Sequence, residues 1–178
     1  YFTVMCGVGI VVPIDKELKA PEVNNILTLS GSDACIYAPE MAEKIENHGF
    51  DGFKLCKTDI ASAIEEGKKL VEAGDKSFEN HKIDPYAMSA IIYTSGTTGN
   101  PKAVQMTTLG ILNLIEYYVE STGFKSDDVL GIFASVGFAV SLEQFASVFT
   151  GGSLTYVPND IRLNIFKLND YFINYCFD

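Results

Sequence analysis

The chain is predicted to be an α/β protein, with helices packed on a largely parallel sheet. Three observations carry that reading. Short β-branched runs alternate with stretches whose apolar residues recur at helical spacing along all 178 residues. Hydrophobic residues make up 47% and charged residues 20%, the balance of a globular chain long enough to bury a core. A Gly/Ser/Thr-rich loop follows directly on one predicted strand, the place where α/β sheets bind ligands.

The elements follow in chain order. Ile10–Val12 reads as a buried strand ended by Pro13, which lacks the N–H a ladder needs. Pro21 fits the first turn of a helix that carries Val23, Ile26 and Leu27 on one face. Ala34–Tyr37 is a second short strand, and a helix follows Pro39. Asp59–Ala73 has helical spacing at Ile60, Ile64 and Val71, with Glu65 placed to pair with Lys69. Gly74–Tyr86 is polar and reads as an exposed connection.

Ala90–Tyr93 is a strand that feeds the loop, and Thr107 or Thr108 caps a helix running to about Ser121. Val129–Ala134 is a strand, Leu142–Phe149 a helix and Leu154–Val157 a strand. Ile165, Leu168 and Phe172 mark a last amphipathic helix.

Composition removes several function classes. The net charge of −10, from 23 acidic against 13 basic residues, repels nucleic-acid phosphates, and no basic cluster overrules it. A few local donors can still hold one phosphate chain against that field. No apolar run approaches the ~18–20 residues of a membrane span. Cys6, Cys35, Cys56 and Cys176 show no CxxC spacing, and neither His48 nor His81 is near one, so no metal site or disulfide framework is expected. The chain starts Tyr1-Phe2-Thr3-Val4, which reads as the interior of a longer protein, and a cytoplasmic location is the expectation.

The decisive segment is Tyr93-Thr94-Ser95-Gly96-Thr97-Thr98-Gly99-Asn100-Pro101-Lys102. Thr94, Ser95, Thr97 and Thr98 crowd hydroxyls together, while Gly96 and Gly99 let the backbone approach a ligand. Successive N–H groups in such a turn form an anion-binding concavity, and Lys102 adds a mobile positive charge. A solvated turn is the bland alternative, but it does not ask for this composition over ten residues. A Walker loop fails because Pro101 and Ala103 stand where Gly and Ser or Thr are required. A dinucleotide fingerprint at Gly7-Val8-Gly9 fails because Val12 replaces the third glycine.

Ile92–Lys102 resembles the signature loop of the adenylate-forming (AMP-binding) superfamily, which includes acyl-CoA synthetases, luciferases and nonribosomal peptide synthetase adenylation domains. Gly7–Asp15 resembles the Gly-rich, Val-Pro-Ile-Asp block upstream of that loop. Phe138–Leu154, with Glu143, Phe145 and Gly151-Gly152-Ser153-Leu154, resembles the aromatic segment downstream. Asp160–Leu163 and Leu168–Phe172 look closest to nonribosomal adenylation domains.

The resemblance implies residues 1–178 as part of a large N-terminal adenylation domain, a largely parallel sheet flanked by helices, with the C-terminal subdomain absent. It implies activation of a carboxylic or amino acid by Mg·ATP as an acyl-adenylate, with pyrophosphate leaving. The acyl group then passes to a phosphopantetheine thiol, on a carrier protein or on CoA. Thr94, Ser95, Gly96, Thr97, Thr98, Gly99 and Lys102 would clasp the phosphates, with Lys102 in the catalytic role. Phe138, Ala139 and Val140 would line the acid pocket. The Mg²⁺ ligands and the adenine, ribose and hinge motifs are expected outside this chain, so residues 1–178 alone should not turn over.

Three departures from the family pattern stand out. Ala103 replaces the Gly that usually follows the loop lysine, and Thr108 stands where a His is common. Gly137-Phe138-Ala139-Val140 offers no carboxylate for a substrate amine. Glu143 could substitute, although a helix-surface Glu is more often solvated. A free-standing acyl- or aryl-CoA ligase and a non-catalytic binding module are the alternative readings.

Overall fold

A computed structural model of the chain describes residues 3–5, 9–46, 49–94, 101–132, 134 and 146–175. It divides into two compact units, Tyr1–Thr108 and Leu109–Asp178.

In the first unit, α1 spans Ala20–Ser30. The Lys19 N–H donates to Glu22 Oε2 at 2.9 Å, so the first turn satisfies a donor that has no intrahelical partner. Gly31 ends the helix in the left-handed region, at φ 62°. Val23, Ile26 and Leu27 are buried, the face the sequence assigns. Strand β1 (Ala34–Tyr37) pairs in parallel with β2 (Phe53–Cys56), Ala34 opposite Phe53 and Tyr37 opposite Cys56. A 3-10 turn at Pro39–Met41 and the short α2 (Ala42–Glu46) connect toward β2.

The core of this region is Val23, Leu27, Ile45 and Phe50, with Ile14, Leu18, Cys35, Tyr37 and Met41 packed against it. Gly52 permits the turn into β2: a Cβ there would lie 2.5 Å from the Asp33 carbonyl oxygen, which accepts the Phe53 N–H. The sequence reading did not expect β2. Its Phe-Lys-Leu-Cys run is short, and Lys54 interrupts the apolar pattern.

Helix α3 runs Ile60–Glu72, within the expected bounds, yet none of its residues is buried. Glu65 pairs with Lys68 at 2.6 Å, in place of the Lys69 partner the spacing suggested; both spacings put a lysine on the same helix face. One helical turn, α4 (Ser77–Asn80), interrupts the exposed connection that follows.

The unit ends in a hairpin. Strand β3 (Met88–Thr94) pairs antiparallel with β4 (Lys102–Thr107). This corrects two expectations. The expected Gly/Ser/Thr loop leads into a strand before any helix begins, and the sheet is antiparallel at this point. The period-two alternation Val104, Met106 against Ala103, Gln105 is the hairpin signal that was passed over. The expected strand Ile10–Val12 reduces to a single parallel bridge, Val11 to Ala90. Val11 N–H donates to Ser89 O, and Ile91 N–H to Val11 O, both at 2.9 Å. Ile10 is 43% exposed, so the run is not buried as expected; Pro13, without a donor, stands just beyond the bridge.

In the second unit, α5 (Thr108–Thr122) begins at the unit boundary and buries Ile111 and Ile115. Strand β5 (Val129–Ile132) pairs in parallel with β6 (Ser153–Tyr156), after α6 (Ala146–Thr150). Gly152 is tightly held, since a Cβ would meet Asp128 O at 2.9 Å. Two helices close the described chain, α7 (Asn159–Arg162) and α8 (Ile165–Tyr175). Tyr171 OH donates to Tyr156 O at 3.1 Å, and a Cβ at Gly131 would lie 2.6 Å from the Phe172 ring, which fixes α8 on the β5–β6 pair. Leu168 and Phe172 are half-buried while Ile165 is 70% exposed, so the expected amphipathic face holds only in its later part. Among the described residues two of three strand pairs are parallel, with helices between the strands, and the fold class is α/β as the sequence predicts.

Candidate phosphate-loop site

Strand β3 is held on both edges. Val11 bonds to one edge at the level of Ala90, and β4 bonds to the other from Met88 to Thr94. A bulge between Met88 and Ala90 inserts Ser89 as the extra residue, so Ser89 and Ala90 are both buried although adjacent. The Ser89 hydroxyl donates to Met106 O at 3.4 Å, which keeps this buried polar group partnered. From Ala90 onward the alternation is regular: Ala90 and Ile92 are buried, and Thr94 lies on the same face beyond them.

The hairpin register places Ile92 opposite Val104, Tyr93 opposite Ala103 and Thr94 opposite Lys102. Directly opposed residues share a sheet face, so the Thr94 hydroxyl and the Lys102 ammonium project together at the open end of the Ala90/Ile92 face. Both residues are exposed, and Lys102 forms no ion pair among the described residues. Pro101 is half-buried beside it.

Ser95, Gly96, Thr97, Thr98 and Gly99 lie outside the described residues, as does Asn100. The ladder nevertheless fixes both ends of that segment at neighbouring positions, about 4.5–5.5 Å apart between Cα atoms. A hydroxyl and a cation on opposed positions of the two strand ends suit an anion.

Of the family departures, Ala103 is explained. It sits in regular strand opposite Tyr93, and among the described residues no non-glycine has a positive φ, so this position does not call for glycine. Thr108 is the first residue of α5. Phe138, Ala139 and Val140, with Glu143 and Phe145, lie outside the described residues. Among the described residues no group of three or more His, Cys, Asp or Glu side chains could hold a metal ion. No helix among them is long and apolar enough to cross a membrane. Sequence reasoning missed the partners of β3, Val11 and β4, that give the loop fixed ends.

Gramicidin S synthase 1 of Brevibacillus brevis is 31% identical over 164 residues, which cover 92% of this chain and 14% of that protein. The solved structure of ATP-bound MatB from Rhodopseudomonas palustris superposes with a TM-score of 0.73 at 18% identity, over 94% of this chain and 33% of that one. VinN in complex with 3-methylaspartate gives a TM-score of 0.72 at 20% identity, over 92% and 43%. The two structural likenesses speak for the fold. The chain thus spans well under half the length of each of these proteins. The family model described as AMP-binding enzyme matches residues 2–174, nearly end to end, and the chain belongs to that family.

Proposed function

We propose that the protein of which this chain is part activates a carboxylic or amino acid with ATP, forming an acyl-adenylate and releasing pyrophosphate. The observation that carries the reading is the Thr94–Lys102 cross-strand pair at the mouth of the Gly/Ser/Thr loop. Thr94, Ser95, Gly96, Thr97, Thr98 and Gly99 present hydroxyls and backbone N–H groups to the phosphate chain, and Lys102 supplies positive charge. Expelling pyrophosphate from the α-phosphorus needs charge neutralisation on the leaving group more than covalent help, and these groups are of the right kind. Lys102 stands on a strand, so its backbone is fixed while the ammonium stays mobile at the end of its flexible stem. Magnesium, when bound, would supply further neutralisation, with its ligands expected outside this chain.

In this proposal the adenylate passes to a phosphopantetheine thiol of a carrier protein, as in a nonribosomal peptide synthetase; CoA is the alternative acceptor. Residues 1–178 form part of the large domain, in the cytoplasm. Phe138, Ala139 and Val140 line the acid pocket. The absence of a carboxylate among them favours a second reading in which the acid has no free α-amine, as for an acyl- or aryl-CoA ligase. ATP–pyrophosphate exchange on the full-length protein, across amino, aryl and fatty acids, tests both readings. Exchange with some acid supports adenylation, and the preferred acid decides between the two. Absence of exchange would leave a non-catalytic module.

A further inference from the structure

Helix α5 and the end of α6 enclose a shallow groove of about 310 Å³, lined by Leu112, Ile115, Glu116, Val119, Glu120, Phe149 and Thr150. Its apolar floor is open: Leu112 is 43% and Phe149 50% exposed. Along one edge stand Glu116 and Glu120, four residues apart on α5 and therefore neighbours on one helix face.

Two features of these carboxylates are unfavourable within the chain. Like charges at this spacing repel, and Glu120 approaches the C-terminal end of α5, where the helix dipole is already negative. Nothing on α5 offsets either effect, since Thr108–Thr122 contains no Lys, Arg or His. Neither glutamate forms an ion pair among the described residues. A cation brought in from outside relieves both at once.

We propose that this groove docks a basic amphipathic helix of a partner protein. An apolar side chain of that helix sits on Leu112, Val119 and Phe149, and lysines or arginines one turn apart meet Glu116 and Glu120. This is helix-in-groove recognition with charges setting the register. A second copy of the chain is a poorer occupant. Its net charge is −10; among the described residues, the exposed helix α3 brings Glu65, Glu66 and Glu72 with its lysines, and α8, with Ile165, Phe166 and Ile173 exposed, brings only Lys167, close to Asp170. The proposal does not rest on the adenylation reading, because no groove residue belongs to the phosphate loop.

The test is fluorescence anisotropy of a labelled leucine–lysine peptide, patterned as an amphipathic helix of roughly five turns, titrated with the full-length protein. Saturable binding is expected, with none for the leucine–glutamate peptide of the same pattern. Glu116→Gln with Glu120→Gln should weaken it about tenfold. The charge-matched pair Glu66→Gln with Glu72→Gln on α3 should stay within about twofold. Leu112→Ser should also weaken binding while circular dichroism shows the helices retained. Lack of saturable binding, or equal weakening by the two glutamate pairs, overturns the proposal. So does a dimer in light scattering that the groove substitutions dissociate, since the occupant would then be a second copy.

Discussion

Thr94 and Lys102 are cross-strand partners at the open end of the β3–β4 hairpin, so a hydroxyl and an ammonium flank the two ends of one loop on one sheet face. Pairing fixes their backbones whatever the loop between them does. The ladder holds the two ends of that segment in register.

The first prediction follows from that frame. On the proposed function, Lys102→Ala in the full-length protein should remove a charge-assisted contact to phosphate worth about 1.5–3 kcal/mol. Adenylation should slow correspondingly, while the hairpin, whose core is Ala90 and Ile92, stays folded. Pyrophosphate-exchange rates paired with thermal melts measure both. An unchanged rate in a folded variant removes Lys102 from the catalytic role.

Substrate charge gives a second prediction. Burying an unpaired ammonium is costly, and Phe138-Ala139-Val140 provides no counter-ion. The intact enzyme should prefer an acid without a free α-amine, and Ala139→Asp should raise activity toward amino acids relative to their deaminated analogues. A strong preference of the unmodified enzyme for an α-amino acid would show that the amine has another partner.

Two glycines predict opposite effects on stability. A Cβ at Gly52 would sit 2.5 Å from the Asp33 carbonyl oxygen, so Gly52→Ala forces a backbone shift, and a loss of about 1–3 kcal/mol is expected. Gly67 lies in the middle of α3, with nothing within 4 Å of an added Cβ. Gly67→Ala should therefore stabilise, by roughly 0.5–1 kcal/mol. Chemical denaturation compares the two, and the same sign for both would contradict the packing described.

A pH effect is expected from Tyr37, whose hydroxyl donates to Glu46 Oε1 at 2.5 Å. That bond, with smaller contributions from burial and the nearby negative charges, pushes the phenol up to about 12, above its ordinary value of 10.0. The unfolded chain releases this proton first, so the contribution is fully present below about pH 10 and is lost as pH rises toward 12. Tyr37→Phe should flatten that alkaline decline in melting temperature. A decline identical to that of the unmodified protein would mean the pair contributes nothing.

The sequence was most legible where local signals agreed. Pro21 and the Val23/Ile26/Leu27 face located α1, and the run Leu154–Val157 located β6 to within a residue. It was least legible where an element depends on a distant partner. Phe53–Cys56 is a strand because β1 lies beside it, and Lys102–Thr107 because β3 does. Val11 is fixed by Ser89 and Ile91, far along the chain. The candidate phosphate loop could be singled out in the sequence because its glycines and hydroxyls are a local signal. Its closure by Thr94 and Lys102 could not, because register is a property of two strands.

The central claim is tested most directly by acid-dependent ATP–pyrophosphate exchange on the full-length protein, across amino, aryl, hydroxy and fatty acids. Exchange is predicted with at least one acid, dependent on that acid and diminished by Lys102→Ala. A folded protein that binds ATP yet exchanges pyrophosphate with none of them would contradict adenylate formation.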